Sequence, residues 1–500
     1  MSSNAAQTSA VGCMSAAVLN QLKQAVGERF VLTDAASLLA YESDALTLFR
    51  CKPAAVLLPA SKEEVAACVR ALHQAKIPFA ARGAGTGLSG GALVPEGGVI
   101  LAMARMCKVL EVNAEGGWAK VEPGVVNAEL GRQVEALGLR YAPDPASQMV
   151  STLGGNAAEN AGGPQCFLHG TTSQHILAAE VVLADGSLHS WGSATTLNDP
   201  LDLRGFLLGS EGTVGVIVSL TVRLIPLPPS IVTLMAAFDS IRTACTAVSD
   251  IVAAGLQPVA LEVMDQKTIR AVEASVYRAG LPVDAGAVLI VEVEGAAQKT
   301  AADAEAVETV LIDHKPLRIE KAETPEQRLA VWKGRKGAGG ALGQLGPDSY
   351  VMDGVVPRSK LADVMDFVTR MEEETQLEIS NLFHAGDGNI HPHITYDAAN
   401  ADQVELVEET GTLILRKCLE MGGSITGEHG VGLEKHHLMA EQFSADELQV
   451  MEALREVLNP DNLLNPGKGL PMKRGCMEAF HRHQRPTGLV AESEDSGGQL

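Results

Sequence analysis

No two of the eight cysteines stand in a Cys-x-x-Cys pair. Cys13, Cys51, Cys68, Cys107, Cys166, Cys245, Cys418 and Cys476 are scattered singly. Neither a zinc ribbon nor a cysteine-held iron–sulfur cluster therefore has a ligand set. Such cysteines read as reduced thiols of a cytoplasmic protein, mostly small buried apolar residues. Positive charge is also scarce: 39 Lys and Arg against 61 Asp and Glu give a net charge of −22. A surface of that sign repels phosphate backbones, which sets nucleic acid aside as a partner. No run of about 18 consecutive apolar residues occurs, so no transmembrane segment is expected. The opening "MSSNAAQTSAVGCMSAA" lacks the basic start and apolar run of a signal peptide.

Apolar residues as a class are plentiful, at 46% of the chain, and the mean hydropathy is +0.10. Five hundred residues exceed one core, so two or three packed domains are expected. Glycine is abundant, 50 of 500. That implies many special turns, or backbone brought close to a ligand.

Residues 1–52 read as an N-terminal helical arm. "AAVLLP", then "SKEEVAACVRALHQAK" with Ser61 and Glu64 in capping-box spacing, then "IPFAAR", form a strand–helix–strand unit. Mixed helices and strands continue to "IPLPPS", which marks a boundary. The expected division is a cofactor domain over 53–228 and an α+β cap domain over 229–425, an antiparallel sheet with helices on one face. A C-terminal segment over 426–471 closes the site, and a polar, disordered tail covers 472–500.

"ARGAGTGLSGGALVP" contains Gly85-x-Gly87-x-x-Gly90, the spacing of a Rossmann loop. The context denies that reading. A Rossmann loop opens a helix and meets an acidic residue about 20 positions on. Here Gly90, Gly91 and Pro95 block a helix, and Arg105 stands where the acid should be. What remains is a loop of uncovered backbone N–H groups after a strand, suited to a diphosphate. Two more glycine clusters follow, "PDPASQMVSTLGGNAAENAGG" and "GSEGTVGVI". Three such loops fit a dinucleotide laid over backbone.

"NLFHAGDGNIHPHI" places His384 and His391 on either side of Gly386-Asp387-Gly388-Asn389, a turn-forming run. "GGSITGEHGVGLEK" later supplies Glu428 and His429 between glycines. Two histidines and a carboxylate make a catalytic zinc set with an open position. An EF-hand is excluded, because the alternating acidic ligands and closing Glu are missing. Spacing alone leaves a metal site and a busy turn equally open.

The order of these motifs resembles the FAD-binding domain of the vanillyl-alcohol oxidase / p-cresol methylhydroxylase flavoproteins, over about Pro53 to Ile225. It is most similar to the branch that oxidises D-2-hydroxy acids. The resemblance implies an α+β fold: a two-part FAD-binding domain of the p-cresol methylhydroxylase type, the α+β cap, and a C-terminal segment returning to the flavin domain. It implies FAD, with its pyrophosphate on Arg82, Gly83, Ala84, Gly85, Thr86, Gly87, Leu88 and Ser89. It implies flavin contacts from Pro143, Asp144, Ser147, Gly154, Asn156, Asn160, Gly162 and Gly163, and adenine-side contacts near Glu211, Gly212, Val216 and Ile217. "LNPDNLLNPGKG" resembles the returning segment, with Asn465 and Lys468 facing the flavin or merely capping a helix. Some relatives attach flavin through a histidine in the first loop. None lies between Ala81 and Pro95, so the flavin is expected to be noncovalent.

The same branch carries both histidine motifs, which implies His384, His391 and Glu428 as ligands of a divalent metal. Zinc is the expected ion, with Mn and Fe(II) also admitted by such ligands. His393 takes a strand or supporting role. His429 is the candidate general base on its own position, and the family implies the same. "RLAVWKGRKGAGGALG" offers Arg328, Lys333, Arg335 and Lys336 as a carboxylate clamp or as a solvated basic face. The family's W-x-x-R pattern selects Arg335.

The implied activity is oxidation of a small 2-hydroxy acid by hydride transfer to flavin N5. "YVMDGVVPR" is similar to the glycolate oxidase flavin subunits. Val351 stands where 2-hydroxyglutarate enzymes carry lysine, which favours a monocarboxylate such as glycolate or D-lactate. Electrons are expected to leave through an iron–sulfur subunit and a second flavin-domain-like subunit, peripheral at the inner face of the membrane, or through a quinone or soluble carrier. The alternatives are a stand-alone D-lactate dehydrogenase and, in another class, a non-catalytic flavin-fold assembly subunit.

Overall fold

The computed structural model describes residues 14–195, 201–471 and 481–482. The polar tail expected over 472–500 lies outside the described residues, apart from His481–Arg482, whose backbone pairs with Phe49–Arg50.

The first layer is a four-stranded sheet in the order Val31–Leu32, Ala55–Leu57, Val99–Ala102, Phe79–Arg82. The last three strands run parallel. Their side chains are almost all buried, as continuous apolar strands of a covered parallel sheet should be. The helix Lys62–Gln74 makes the crossover, and Ser61 caps it by accepting from Glu64 N–H at 3.2 Å. Glu64 reaches back to Ala60 N–H at 2.7 Å, one residue beyond the usual reciprocal partner. The leading segment is not purely helical. Val31–Leu32 pairs antiparallel with Ala55–Leu57 and stitches it to this sheet.

The second layer is an antiparallel five-stranded sheet, Leu188–Gly192, Ile176–Val182, Val216–Arg223, Trp118–Val121 and Val109–Asn113. The helix Leu153–Glu159 packs Leu153 and Ala157 into the core of this layer.

The third unit is a nine-stranded sheet whose central strands are Ser230–Phe238, Ala287–Gly295, Ala260–Asp265 and Glu378–His384, all antiparallel. Helices cover both of its faces, not one. Leu234, Ala236, Phe238, Leu289 and Val291 point to a core shared with Ile241–Ala253, Ala297–Asp313, Leu361–Thr375 and Ala401–Glu420. Met235, Ala237, Val288 and Ile290 point to a second core with Gln266–Glu273 and Pro325–Leu342. The reason lies in the strands: "LMAAF" and "AVLIV" do not alternate with polar residues, so both faces need cover.

The C-terminal segment returns to the first sheet. Phe79 N–H donates to Leu463 O at 2.8 Å, Asn465 N–H donates to Phe79 O at 2.7 Å, and Leu464 bridges Phe79 in parallel.

Candidate active site

A cavity runs along the end of Phe79–Arg82 and over the start of Leu153–Glu159. Of the residues expected on the cofactor, Arg82, Gly83, Ala84, Gly85, Thr86, Gly87, Leu88, Ser147, Gly154, Asn156, Glu211, Gly212 and Ile217 line it. Glu428 and His429 line it from the C-terminal segment. Two glycines show why this loop has its composition. A Cβ on Gly83 would lie 2.3 Å from Thr152 Oγ1, so the loop could not meet the helix N-terminus. A Cβ on Gly87 would meet nothing within 4 Å, so protein packing does not account for the missing side chain. A cradle of backbone N–H groups with room above it fits a bound diphosphate.

Gly83→Ala is expected to push Thr152 off its capping bond to Gly155 N–H, now 3.3 Å. The overpacking should cost about 1–3 kcal/mol. Flavin retained through gel filtration, compared with wild type, checks this.

Other expected cofactor residues sit elsewhere. Ser89 and Val216 are fully buried beneath the wall. Asn160 is the left-handed C-cap of Leu153–Glu159 and accepts from Ser173 N–H at 2.8 Å. Pro143 O accepts from Asn127 Nδ2 at 3.1 Å, and Asp144 pairs with Lys336 at 3.1 Å. Gly163 packs on the Asp144 backbone, and a Cβ on Gly162 would lie 2.5 Å from Glu428 Oε2. Asn465 donates to Gly91 O and Glu211 O, and Lys468 donates to Leu93 O. These two bind the returning segment to the glycine loop and do not line the cavity. The Arg82 side chain also turns aside, its guanidinium 5.4 Å above the Tyr41 ring and donating to Ala40 O at 3.4 Å.

The histidine turn forms as its sequence suggests. His384 ends the strand Glu378–His384, Gly388 N–H closes the turn onto Ala385 O at 3.2 Å, and Asn389 pairs back on His384. The two imidazoles come to 5.2 Å between centroids, nearly perpendicular. Glu428 Oε1 lies 3.1 Å from Nε2 of each.

The protons on these rings decide what the cluster is. His391 Nδ1 lies 3.0 Å from Met352 O, an acceptor only, so Nδ1 carries a proton. His384 Nδ1 lies 2.8 Å from Glu262 Oε1, so it does too. In neutral rings both Nε2 atoms then present lone pairs to the Glu428 carboxylate, which also accepts only. His391 Nε2 is buried and, despite the 3.1 Å approach, has no hydrogen-bond partner. Two nitrogen lone pairs and a carboxylate oxygen facing one point want a cation, and the backing of each Nδ1–H is the usual support of metal-binding histidines. Without one a proton takes the place: burial opposes the charge on His384, but Glu262 and Glu428 push it up to about 10.

Asp353, His391 and His429 form a second compact group. It is a poorer ligand set, because Asp353 is already saturated. Its oxygens accept from Gly427, Glu428 and His429 N–H at 2.9–3.2 Å and from Asn389 Nδ2 at 2.9 Å, with Lys435 Nζ at 3.3 Å. These bonds hold the Glu428–His429 loop. His429 stacks on His391 at 4.8 Å, and its Nδ1 is buried without a partner. Burial lowers its pKa to about 4, so the ring is neutral. His393 is likewise kept neutral, its pKa lowered by burial and then by His391, His429 and Arg335 to about 3.

Arg335 is 3% exposed and not on the cavity wall. Its Nε donates to Glu262 Oε2 at 2.7 Å, and NH2 lies 3.4 Å from His384 Nδ1. It is committed to Glu262 and does not stand open as a carboxylate clamp. Arg328 makes a bidentate pair with Glu292, and Lys333 is exposed.

Sequence reasoning missed Glu262, Asp353 and Glu159. For the first two a signal existed. "ALEVMD" and "YVMDGVV" each bury a carboxylate within an apolar strand or turn, which requires partners.

Two family models match the chain: FAD binding domain over 53–192, and FAD linked oxidases, C-terminal domain, over 227–469. The chain is 42% identical over 468 residues to glycolate oxidase subunit GlcD of Escherichia coli (strain K12), covering 93% of this chain and 94% of that protein. It is 31% identical over 433 residues to D-lactate dehydrogenase of Anaerostipes hadrus, covering 84% and 90%. The structure of p-cresol methylhydroxylase with substrate bound matches with a TM-score of 0.77 over 91% of this chain and 96% of that one, at 16% identity, a likeness of fold. With the glycine-lined cavity and the two matched domains, the chain belongs to the FAD-linked oxidoreductases of the vanillyl-alcohol oxidase / p-cresol methylhydroxylase family, in the branch that holds the D-2-hydroxy acid dehydrogenases.

Proposed function

We propose that this chain oxidises a small D-2-hydroxy acid, glycolate or D-lactate, to the 2-oxo acid, with noncovalent FAD and a divalent cation held by His384, His391 and Glu428. The observation that carries the reading is the convergence of the His384 and His391 Nε2 atoms on Glu428 Oε1, 3.1 Å from each, beside the cavity, with neutral His429 on its wall. FAD, when bound, supplies the two-electron acceptor. A divalent cation, when bound, supplies Lewis acidity that lowers a hydroxyl pKa.

The rest falls to the chain's own residues. Oxidation removes a hydride from Cα and a proton from the hydroxyl. His429, a neutral ring on the cavity wall, takes that proton, in a role typically worth about 10²–10⁴-fold. Asp353 fixes the loop that carries it. Glu262 orients His384 and is itself held by Arg335, so we assign Arg335 to positioning. Val351, paired with His393, adds no cation for a second carboxylate, which supports a monocarboxylate substrate.

No helix among the described residues is long and apolar enough to cross a membrane. Electrons would leave through partner subunits, and the relative named as a subunit supports that route. A non-catalytic scaffold would have no use for convergent lone pairs.

The test is the anaerobic visible spectrum of the purified chain, before and after glycolate or D-lactate. Flavin bands should bleach with at least one acid, fail to bleach after chelation, and bleach again when zinc or manganese is restored. Flavin that bleaches equally well after complete metal removal would sink the metal assignment. Flavin that neither acid bleaches in metal-loaded protein would sink the substrate class.

A further inference from the structure

The cofactor cavity carries an acidic pair that the proposed chemistry does not use. Glu159 closes the helix Leu153–Glu159 and lies on the wall, as does Glu211 from the loop before Val216–Arg223. A Cβ on Gly430 would lie 2.8 Å from Glu159 Oε2 and 3.0 Å from Glu211 Oε1. The absence of a side chain there lets both carboxyl groups close on one point. Their surroundings differ. Glu211 accepts from Val431 N–H at 2.7 Å and Gly432 N–H at 2.8 Å, one bond to each oxygen, as suits a carboxylate. Glu159 Oε2 is buried and has no hydrogen-bond partner. Two like charges this close are not both sustained away from water, so the group with two N–H donors keeps the charge and the other keeps a proton. Burial, then Glu211 and Asp44, raise the Glu159 pKa well above the carboxylate range, while Lys468 and Lys435 pull the other way.

We propose that Glu159 is a cofactor-binding residue, a neutral carboxylic acid that donates a hydrogen bond to an acceptor atom of bound FAD while ionised Glu211 holds the Val431–Gly432 backbone. The inference rests on the flavin reading above. A dinucleotide is an anion through its diphosphate, so a second carboxylate charge beside Glu211 on the wall would add to the repulsion. A carboxylic acid offers a donor without that charge. Protonation of Glu159 also explains how an acid can line an anion's cavity without a basic partner of its own.

Flavin release on dilution of the holoprotein, read by recovered flavin fluorescence, tests this. Glu159→Gln keeps the shape and an N–H donor, and should hold FAD within roughly threefold of wild type. Glu159→Met keeps the length without a donor, and should bind about tenfold more weakly or worse, the loss of one well-made hydrogen bond. Thermal unfolding at saturating FAD shows that both variants are folded. The proposal fails if Glu159→Met holds FAD as wild type does. It also fails if Glu159→Gln loses as much as Glu159→Met, because the carboxyl would then be acting as an ionised acceptor. Wild-type protein that holds no flavin would overturn the flavin reading instead.

Discussion

Replacing Glu262 by Ala should weaken binding of the proposed metal and unfold the cap domain at a lower temperature. Glu262 is fully buried and accepts from two groups at once, Arg335 Nε at 2.7 Å and His384 Nδ1 at 2.8 Å. Removing it leaves the Arg335 charge, itself buried, without a counter-ion. Breaking a buried pair from one side costs about 3–5 kcal/mol, because the remaining charge is uncompensated. The second loss is orientation. Without an acceptor at Nδ1, His384 can place its proton on either nitrogen, and loss of such backing typically costs about 10–100-fold in metal affinity or activity. Glu262→Gln separates the two effects: its amide oxygen still accepts from His384 Nδ1, but it offers Arg335 no charge. It should lose stability yet keep more of the metal than Glu262→Ala. Metal content of dialysed protein and thermal unfolding read the two losses independently. Equal metal content in all three proteins would show that Glu262 does not orient His384.

How much of this was legible beforehand depends on whether the signal was local. The glycine loop, the histidine turn and the Glu428–His429 segment are short runs whose composition dictates their backbone, so the sequence points to them directly. Their convergence is not local. His384 and Glu428 are joined only because Glu378–His384 runs at the centre of the nine-stranded sheet and Asp353, from a neighbouring turn, gathers the N–H groups of Gly427 to His429. Nothing in the spacing of residues 384 and 428 gives that distance.

Resemblance supplied residues whose partners within the chain only the structure gives. Arg335 looked like a substrate clamp because a basic run offers forks, but a fork can be occupied from within, and Glu262 occupies it. Asn465 and Lys468 were expected beside the flavin, and within the chain they donate to the backbone carbonyls of Gly91 and Leu93. The cap sheet was expected to be covered on one face, although its non-alternating strands already called for two. In each case the deciding partner lies far away in the chain: Glu262 is 73 residues from Arg335, and Gly91 is 374 from Asn465.

The second large effect is expected at Asp353, a residue that does not line the cavity. Its carboxylate collects the N–H groups of Gly427, Glu428 and His429 in one place, as a nest holds an anion. Complete burial opposes its charge, but the buried Lys435 ammonium nearby helps hold its pKa well below the usual carboxylate range. Asp353→Ala frees the loop, releases Glu428 from its position and misplaces the His429 ring. Turnover should fall by about 10²–10⁴-fold, the ordinary worth of a positioned general base. His429→Ala should lose a similar factor but leave stability almost unchanged, since the half-buried ring fills little of the core. The double variant then decides the matter. If Asp353 acts by holding His429, the combined loss should be no greater than the larger single loss, because residues that act as one unit are not additive. Rates that multiply would mean that Asp353 serves the reaction by another route, and a His429→Ala enzyme that turns over normally would remove His429 as the base.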